Sequence, residues 1–337
     1  MKDMASGVGK RIAVIAVLGV ICGLSVMVGV GIGSVRFGLG DVARALFVDD
    51  DSTARLLIWH LRLPRVLTGG LVGICLSLAG CILQGVMRNT LASPTTIGVT
   101  GGAAFVGYLT LVVFPAYAHL LPIGSVIGAF VTTMLIYGLA YRRGVSPVHM
   151  ILSGMAVSAL FGAYNDMIKT VFADSLGNAT GFLVGGLNGA TWETFRMVLP
   201  YAAAGLLLCV FLPLRMNILM LGDETANSLG LRTERFRFLL IAVASLLAGA
   251  SIAAAGLISF VGLMVPHIAR LLVGSDYRYL FPTSALLGFS LIIACDTVGR
   301  VIMPPGEIPV GIILAFVGAP FFLWLLRTRD MRREGGD

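Results

Sequence analysis

The sequence predicts an all-α polytopic membrane protein, a single domain of ten transmembrane helices spanning residues 1–337. Composition is the first observation behind this: 57% of the 337 residues are hydrophobic and 12% are charged, and mean hydropathy is +0.94, whereas a soluble chain carries about 25% charged residues. The second is the recurrence of apolar stretches of roughly 17–25 residues, the length a helix needs to cross ~30 Å of hydrocarbon. The third is glycine, 43 residues against a usual ~7%. Much of it falls inside those stretches at intervals of four, as in Gly19/Gly23, Gly29/Gly33, Gly69/Gly73, Gly98/Gly102 and Gly124/Gly128. In lipid, small residues at that period let helices approach closely.

The elements follow in chain order. A basic stretch from Met1 to Arg11 precedes an apolar run over 12–33; that run exceeds a signal-peptide core of about 7–15 residues and has no sharp small-x-small cleavage site, so it is the first span. Further spans are expected near 66–87, 96–114, 120–141, 147–172, 195–214, 236–257, 260–273, 282–303 and 309–326. The eighth is short and contains Pro266, which predicts a broken helix rather than a full crossing. Asp166 and Lys169 lie three apart in the fifth span, and Asp296 and Arg300 four apart in the ninth. Each pair can neutralise itself on one helix face.

An even number of spans puts both termini on one side, and the positive-inside rule says which. With the N-terminus inside, 16 of the 24 Lys and Arg residues are inner and 8 are outer, so both ends are expected in the cytoplasm. The net charge of +7 then reflects orientation, not nucleic-acid binding. The tail Arg327 to Arg333 reads as a lipid-facing anchor.

Two polar segments stand out. The outer stretch 34–65 holds Arg36, Arg44, Arg55, Arg62 and Arg65 and ends in Arg62-Leu63-Pro64-Arg65 at the mouth of the second span. The inner stretch 215–237 contains Asp223, suited to an N-cap, and Gly230, suited to a helix stop, predicting a helix of about two turns with Ala226 and Leu229 on one face. A short capped helix between spans is a docking element. Gly80 to Ala92 also loosely matches Gly256 to Ala269, with Pro94-Thr95 and Pro282-Thr283 beyond them, which suggests an inverted repeat.

Enzyme signatures fail. There is no His-Glu-x-x-His, no Gly-x-Ser-x-Gly and no Gly-x-x-x-x-Gly-Lys-Ser/Thr, so neither a zinc protease, a hydrolase elbow nor a P-loop is encoded. Gly38-Leu39-Gly40-Asp41 resembles an intramembrane aspartyl protease motif, but Asp41 lies in a polar segment and lacks a second carboxylate to share its proton. The five cysteines, Cys22, Cys75, Cys81, Cys209 and Cys295, sit in apolar runs without CxxC spacing. They act as small hydrophobes, and no metal or cofactor site is expected. His267 beside Pro266 reads as a structural, hydrogen-bonded residue. A secondary carrier remains open as a second class of function.

Several motifs are familiar in content and order: Arg62-Leu63-Pro64-Arg65, Leu83 to Asn89, Leu91-Ala92-Ser93-Pro94, Leu221-Gly222 with Ala226 and Leu229-Gly230, Phe260 to Arg270, Asp296-Thr297 with Arg300, Glu307 to Gly311 and Gly318 to Phe322. Over residues 60–326 the chain resembles the permease subunit of the iron-siderophore, haem and vitamin B12 ABC importers, the FecCD-like type II importers. The resemblance implies a non-catalytic subunit of the bacterial cytoplasmic (inner) membrane, paired with a copy of itself around the translocation path. It further implies two ATPase subunits docked on 221–231, with Leu221, Gly222, Asp223, Glu224, Ala226, Leu229 and Gly230 as coupling residues, ATP being bound by those partners. A periplasmic or lipid-anchored binding protein would deliver an iron chelate, or alternatively haem or cobalamin. Arg62, Arg65 and Arg300 would face its acidic residues. Two stretches depart from the family pattern, Gly256-Leu257-Ile258-Ser259 and Phe182 to Leu187.

Overall fold

The computed structural model describes residues 2–33, 35, 37–48, 52–141, 147–304 and 306–334. Arg36, Arg142 and Arg143 lie outside the described residues, as do the side chains of the basic tail beyond Arg327. The helices are, in order, α1 (Lys2–Gly31), α2 (Leu39–Phe47), α3 (Thr53–Arg55), α4 (Leu63–Val86), α5 (Val99–Tyr108), α6 (Leu121–Ala140), α7 (Pro147–Val171), α8 (Thr180–Val184), α9 (Trp192–Phe211), α10 (Pro213–Met220), α11 (Asp223–Ser228), α12 (Thr233–Ala255), α13 (Val261–Val273), α14 (Tyr277–Ile302) and α15 (Val310–Glu334). No strand occurs among the described residues. The expected fold class is therefore the observed one.

Seven helices among the described residues are long and apolar enough to cross a membrane. Three shorter apolar helices, Val99–Val113, Val261–Val273 and Val310–Leu325, fall where the third, eighth and tenth spans were expected. The eighth is short, not broken: at 1.5 Å per residue the 13 residues of α13 rise only about 20 Å, but the helix runs without interruption through Pro266, and the chain leaves helical geometry before it, over 256–260.

The centre of the bundle is α4, flanked by α12, α13 and α14. Its apolar surface is closed on nearly all sides, with Val72, Cys75, Ala79 and Cys81 wholly buried. Glycine makes this possible. A Cβ built on Gly73 would stand 2.1 Å from the Gly288 carbonyl oxygen, and one on Gly80 would stand 1.8 Å from that of Gly262. Backbones thus touch at α4–α14 and α4–α13, with no room for a methyl group. The Gly98/Gly102 and Gly124/Gly128 pairs pack in the same way, Gly102 and Gly128 each lying within 2.7 Å of the other's carbonyl oxygen once a Cβ is drawn. Gly19 and Gly23 differ: a Cβ on either meets nothing within 4 Å, so this pair makes no intramolecular seam, whereas one on Gly29 of the same helix would stand 2.9 Å from Ile293 Cγ2.

The suggested inverted repeat does not hold. Gly80 to Val86 completes a continuous helix, whereas Gly256 to Phe260 is a non-helical break before α13. Pro94 lies in a turn and Pro282 inside α14. The two stretches do meet, face to face at Gly80 and Gly262.

Candidate functional site

Contacts divide the polar residues between two ends of the bundle. One end carries α10, α11 and the turns after α4 and α13; the other carries α2, the loop before α9 and the break between α12 and α13.

At the first end, α11 is shorter than two turns. Gly222, with φ +110°, is its N-cap, and Asp223 is its first helical residue and makes no capping hydrogen bond. The helix closes in a Schellman turn, with Gly230 N–H donating to Asn227 O (2.9 Å) and Leu231 N–H to Ala226 O (3.0 Å). Gly230 takes the left-handed position at φ +82°, where an L side chain would be strained. The expectation that Ala226 and Leu229 share a face is corrected. Ala226 is fully buried while Leu229 is 59% exposed, because Leu229 has already left helical geometry as the C-cap. Ala226 anchors the helix; Leu221, Glu224 and Leu229 face outward.

Asp223 takes a role that the sequence did not indicate. Its carboxylate accepts from Arg237 at the start of α12 (Nη1 2.8 Å, Nη2 2.6 Å) and from Arg88 just beyond α4. Burial of the acid opposes ionisation, but the two guanidiniums outweigh it and hold Asp223 below the usual carboxylate range. Asn227 also binds the start of α12, accepting from Thr233 Oγ1 at 3.0 Å. Arg88 and Arg237 were missed because the spacing from Asp223 reflects helix packing and no local motif. Their only sequence signal is position, both being arginines at the ends of spans.

At the opposite end, the three singled-out arginines are brought together, but they turn inward. Arg62 donates to the carbonyls of Val30 (2.9 Å), Gly31 (3.1 Å) and Val35. Arg300 donates to Gly29 O at 2.7 Å and pairs with Asp296 at 3.1 Å. Arg65 clasps Asp296 at 2.8 Å and Glu307 at 2.7 Å. The expected Asp296–Arg300 pair is thus real and part of a larger network. Each of the three finds an internal acceptor, as buried charges require. Together with Leu61, Thr191 and Glu307 they line a cavity of about 270 Å³. The Asp166–Lys169 pair also forms, at 3.0 Å.

The helix before this mouth is unusual. Leu56–Arg62 is π-helical and leads directly into Leu63-Pro64. Extra turns of this kind cluster at functional sites and re-aim side chains. Here the turn delivers Arg62 to the end of α1.

Nearby, the two stretches that depart from the family pattern touch each other. Leu257 N–H donates to Phe182 O (2.9 Å), Gly186 N–H to Ala255 O (2.9 Å) and Gly311 N–H to Gly185 O (2.9 Å). A Cβ on Gly256 would stand 2.2 Å from Phe182 O. The departures therefore form one hydrogen-bonded unit joining the α8 loop, the α12–α13 break and the start of α15.

A helical membrane bundle that carries an anchored surface helix at one end and a charged mouth at the other, and encodes no nucleotide loop, has the parts of a transport permease driven from outside. The FecCD transport family profile matches residues 20–328, and the chain belongs to that family, as a multi-pass permease subunit of an ABC importer that works with ATPase and substrate-binding components. It is 36% identical over 329 residues to the Fe(3+)-citrate import system permease protein YfmE of Bacillus subtilis (strain 168), covering 97% of this chain and 98% of that one. Identity to the cobalamin import system permease protein BtuC of Halobacterium salinarum is 39% over 282 residues, 83% of this chain and 76% of that one. An ABC transporter structure assigned to the metal-chelate type, in an inward-facing conformation, superposes with a TM-score of 0.82 at 30% identity, covering 94% of this chain and 99% of that one.

Proposed function

We propose that this chain carries an iron chelate, a ferric siderophore or similar complex, into the cytoplasm as the membrane half of an ATP-driven importer. Two copies would form the path, two ATPase subunits would dock on 221–231, and a periplasmic or lipid-anchored binding protein would load the opposite mouth. The subunit would be non-catalytic, with ten crossings and both termini in the cytoplasm. The observation that carries this reading is α11, a helix anchored through Ala226 and Asp223 whose outward residues are left for another protein. The arginine excess on its side of the membrane supports the orientation.

At the other mouth, Arg65 and Arg300 pair with Asp296 and Glu307, while Arg62 is held by backbone carbonyls alone, leaving the cluster one positive charge in excess. An acidic side chain of a binding protein fits that excess, and the charge also steers its approach. The similarity to Fe(3+)-citrate permeases favours an iron chelate; the similarity to a cobalamin permease supports cobalamin as the second reading.

The test is reconstitution in vesicles with the ATPase subunit and candidate binding proteins loaded with ferric citrate, a ferric hydroxamate or cobalamin. Uptake that needs ATP and is stimulated by one loaded binding protein is expected. Uptake by the chain alone along a gradient would make it a secondary carrier and overturn the proposal.

A further inference from the structure

The end of α4 carries a second, independent oddity beside Asp223. Arg88 has φ +47°, one of two non-glycine residues among those described in the left-handed region. It occupies the closing position of a Schellman turn, its own N–H donating to Gly85 O (3.2 Å) and that of Asn89 to Gln84 O (3.1 Å). Glycine is favoured there, and an L residue is held in such geometry only when its surroundings enforce it. What the strained backbone gains is the direction of the side chain. Arg88 Nη2 reaches Leu219 O at the end of α10 (3.2 Å) and the Asp223 carboxylate. On the other side of the same carboxylate stands Arg237, itself 97% shielded from solvent and also 3.8 Å from Glu234. The hub thus joins four helices, α4, α10, α11 and α12, of which α4 is the central one.

Resting on the reading of α11 as the ATPase dock, we infer that Arg88–Asp223–Arg237 is the linkage that carries its displacement into α4 and α12. Asp223 is then a positioning residue: it touches no nucleotide and holds α11 to the spans that must move. Besides this hub, α11 is held by buried Ala226 and by Asn227 on Thr233, neither of which reaches α4. Without the ionic hub the dock can move while the bundle stays still. The ATPase then turns over without reshaping the path.

Arg88→Gly and Arg237→Gln, both outside the docking segment 221–231, test this in the full complex. Arg88→Gly relieves the backbone strain and removes one limb, so its thermal stability should match or exceed the parent's. A nitroxide on Asn188→Cys in each copy reports the opposite mouth, the five native cysteines being buried or half-buried. Nucleotide-driven change in the label-to-label distance is measured by pulsed electron resonance, with ATP turnover and co-purification of the ATPase subunit measured alongside. Both variants should retain the ATPase subunit and its turnover while the nucleotide-driven shift in population falls at least about fivefold, the lower end of ordinary allosteric coupling. Full retention of the shift in Arg88→Gly overturns the linkage. Loss of the ATPase subunit from Arg88→Gly also overturns it, making Arg88 part of the dock itself. If the parent chain neither retains an ATPase subunit nor responds to nucleotide, the underlying reading fails, which is a distinguishable result.

Discussion

Asp296 shows how a single carboxylate can organise one end of a membrane protein. It is 2% exposed and answers two buried guanidiniums, Arg65 and Arg300. Removing one partner of a buried ion pair costs about 3–5 kcal/mol, because the other charge stays behind uncompensated. Asp296→Asn should therefore lower unfolding stability in detergent by that order, while Asp166→Asn, whose pair with Lys169 is exposed, should change it by under ~1 kcal/mol. Equal stabilities for the parent and Asp296→Asn would refute the assignment. Asp276 offers a pH test. The Arg278 hydrogen bonds, joined by Asn217 and opposed by burial, hold its carboxyl at about 2. Its folded pKa lies below the unfolded ~3.9, so its stabilisation is complete above pH ~4 and is lost as pH falls from there towards 2. The stability gap between the parent and Asp276→Asn should be constant at neutral pH and shrink over that acidic range. A gap that stays constant down to pH 2 would contradict the pairing.

At the scale of elements, glycine spacing announced close packing but not which helices would meet. Gly80→Ala forces α4 and α13 apart, since its methyl would stand 1.8 Å from Gly262 O. A destabilisation of about 1–3 kcal/mol is expected, as for other overpacked sites, measured by thermal unfolding. Gly19→Ala, with nothing within 4 Å, is the matched control and should be close to neutral; similar losses in both would show that the seam is not where the geometry puts it. The short helix was legible from Gly230, because a stop residue acts locally, but its N-cap is Gly222 and not the expected Asp223. That Leu229 points away from Ala226 was not legible, because a six-residue helix ends before three-residue spacing defines a face. The eighth span was legible as short from its length, but Pro266 does not break it, the helix running through residues 261–273; the repeat suggested by Gly80 to Ala92 was not one, since similar residues adopted helix in one place and a break in the other.

For the whole molecule, charge at the mouth lined by Arg62, Arg65 and Arg300 makes a prediction of its own. Glu307→Gln removes the more accessible of the two acids, its side chain being 30% exposed, and raises the cavity's excess positive charge. Association with the loaded binding protein should become faster, most of all at low salt where screening is weakest. Stopped-flow association at two ionic strengths checks it, and an unchanged rate at both would rule out this cavity as the charged docking surface. The same view relates the two ends. The sequence presents Arg62, Arg65 and Arg300 as an outward basic patch, yet a buried charge must find an acceptor, so the fold satisfies each of them internally.

What the sequence alone determined is what one-dimensional chemistry controls: a lipid solvent from composition, spans from the length of apolar runs, a short helix between spans from its local stop signal, and the absence of a nucleotide-loop motif. The tertiary structure decided which distant residues share a charge, Asp223 with Arg88 and Arg237, Asp296 with Arg65 and Arg300, and which glycines lie backbone to backbone. The reason is that long-range pairing in a bundle is set by the order and rotation of packed helices. Those depend on the sum of many small van der Waals contacts, and no short stretch of sequence encodes that sum.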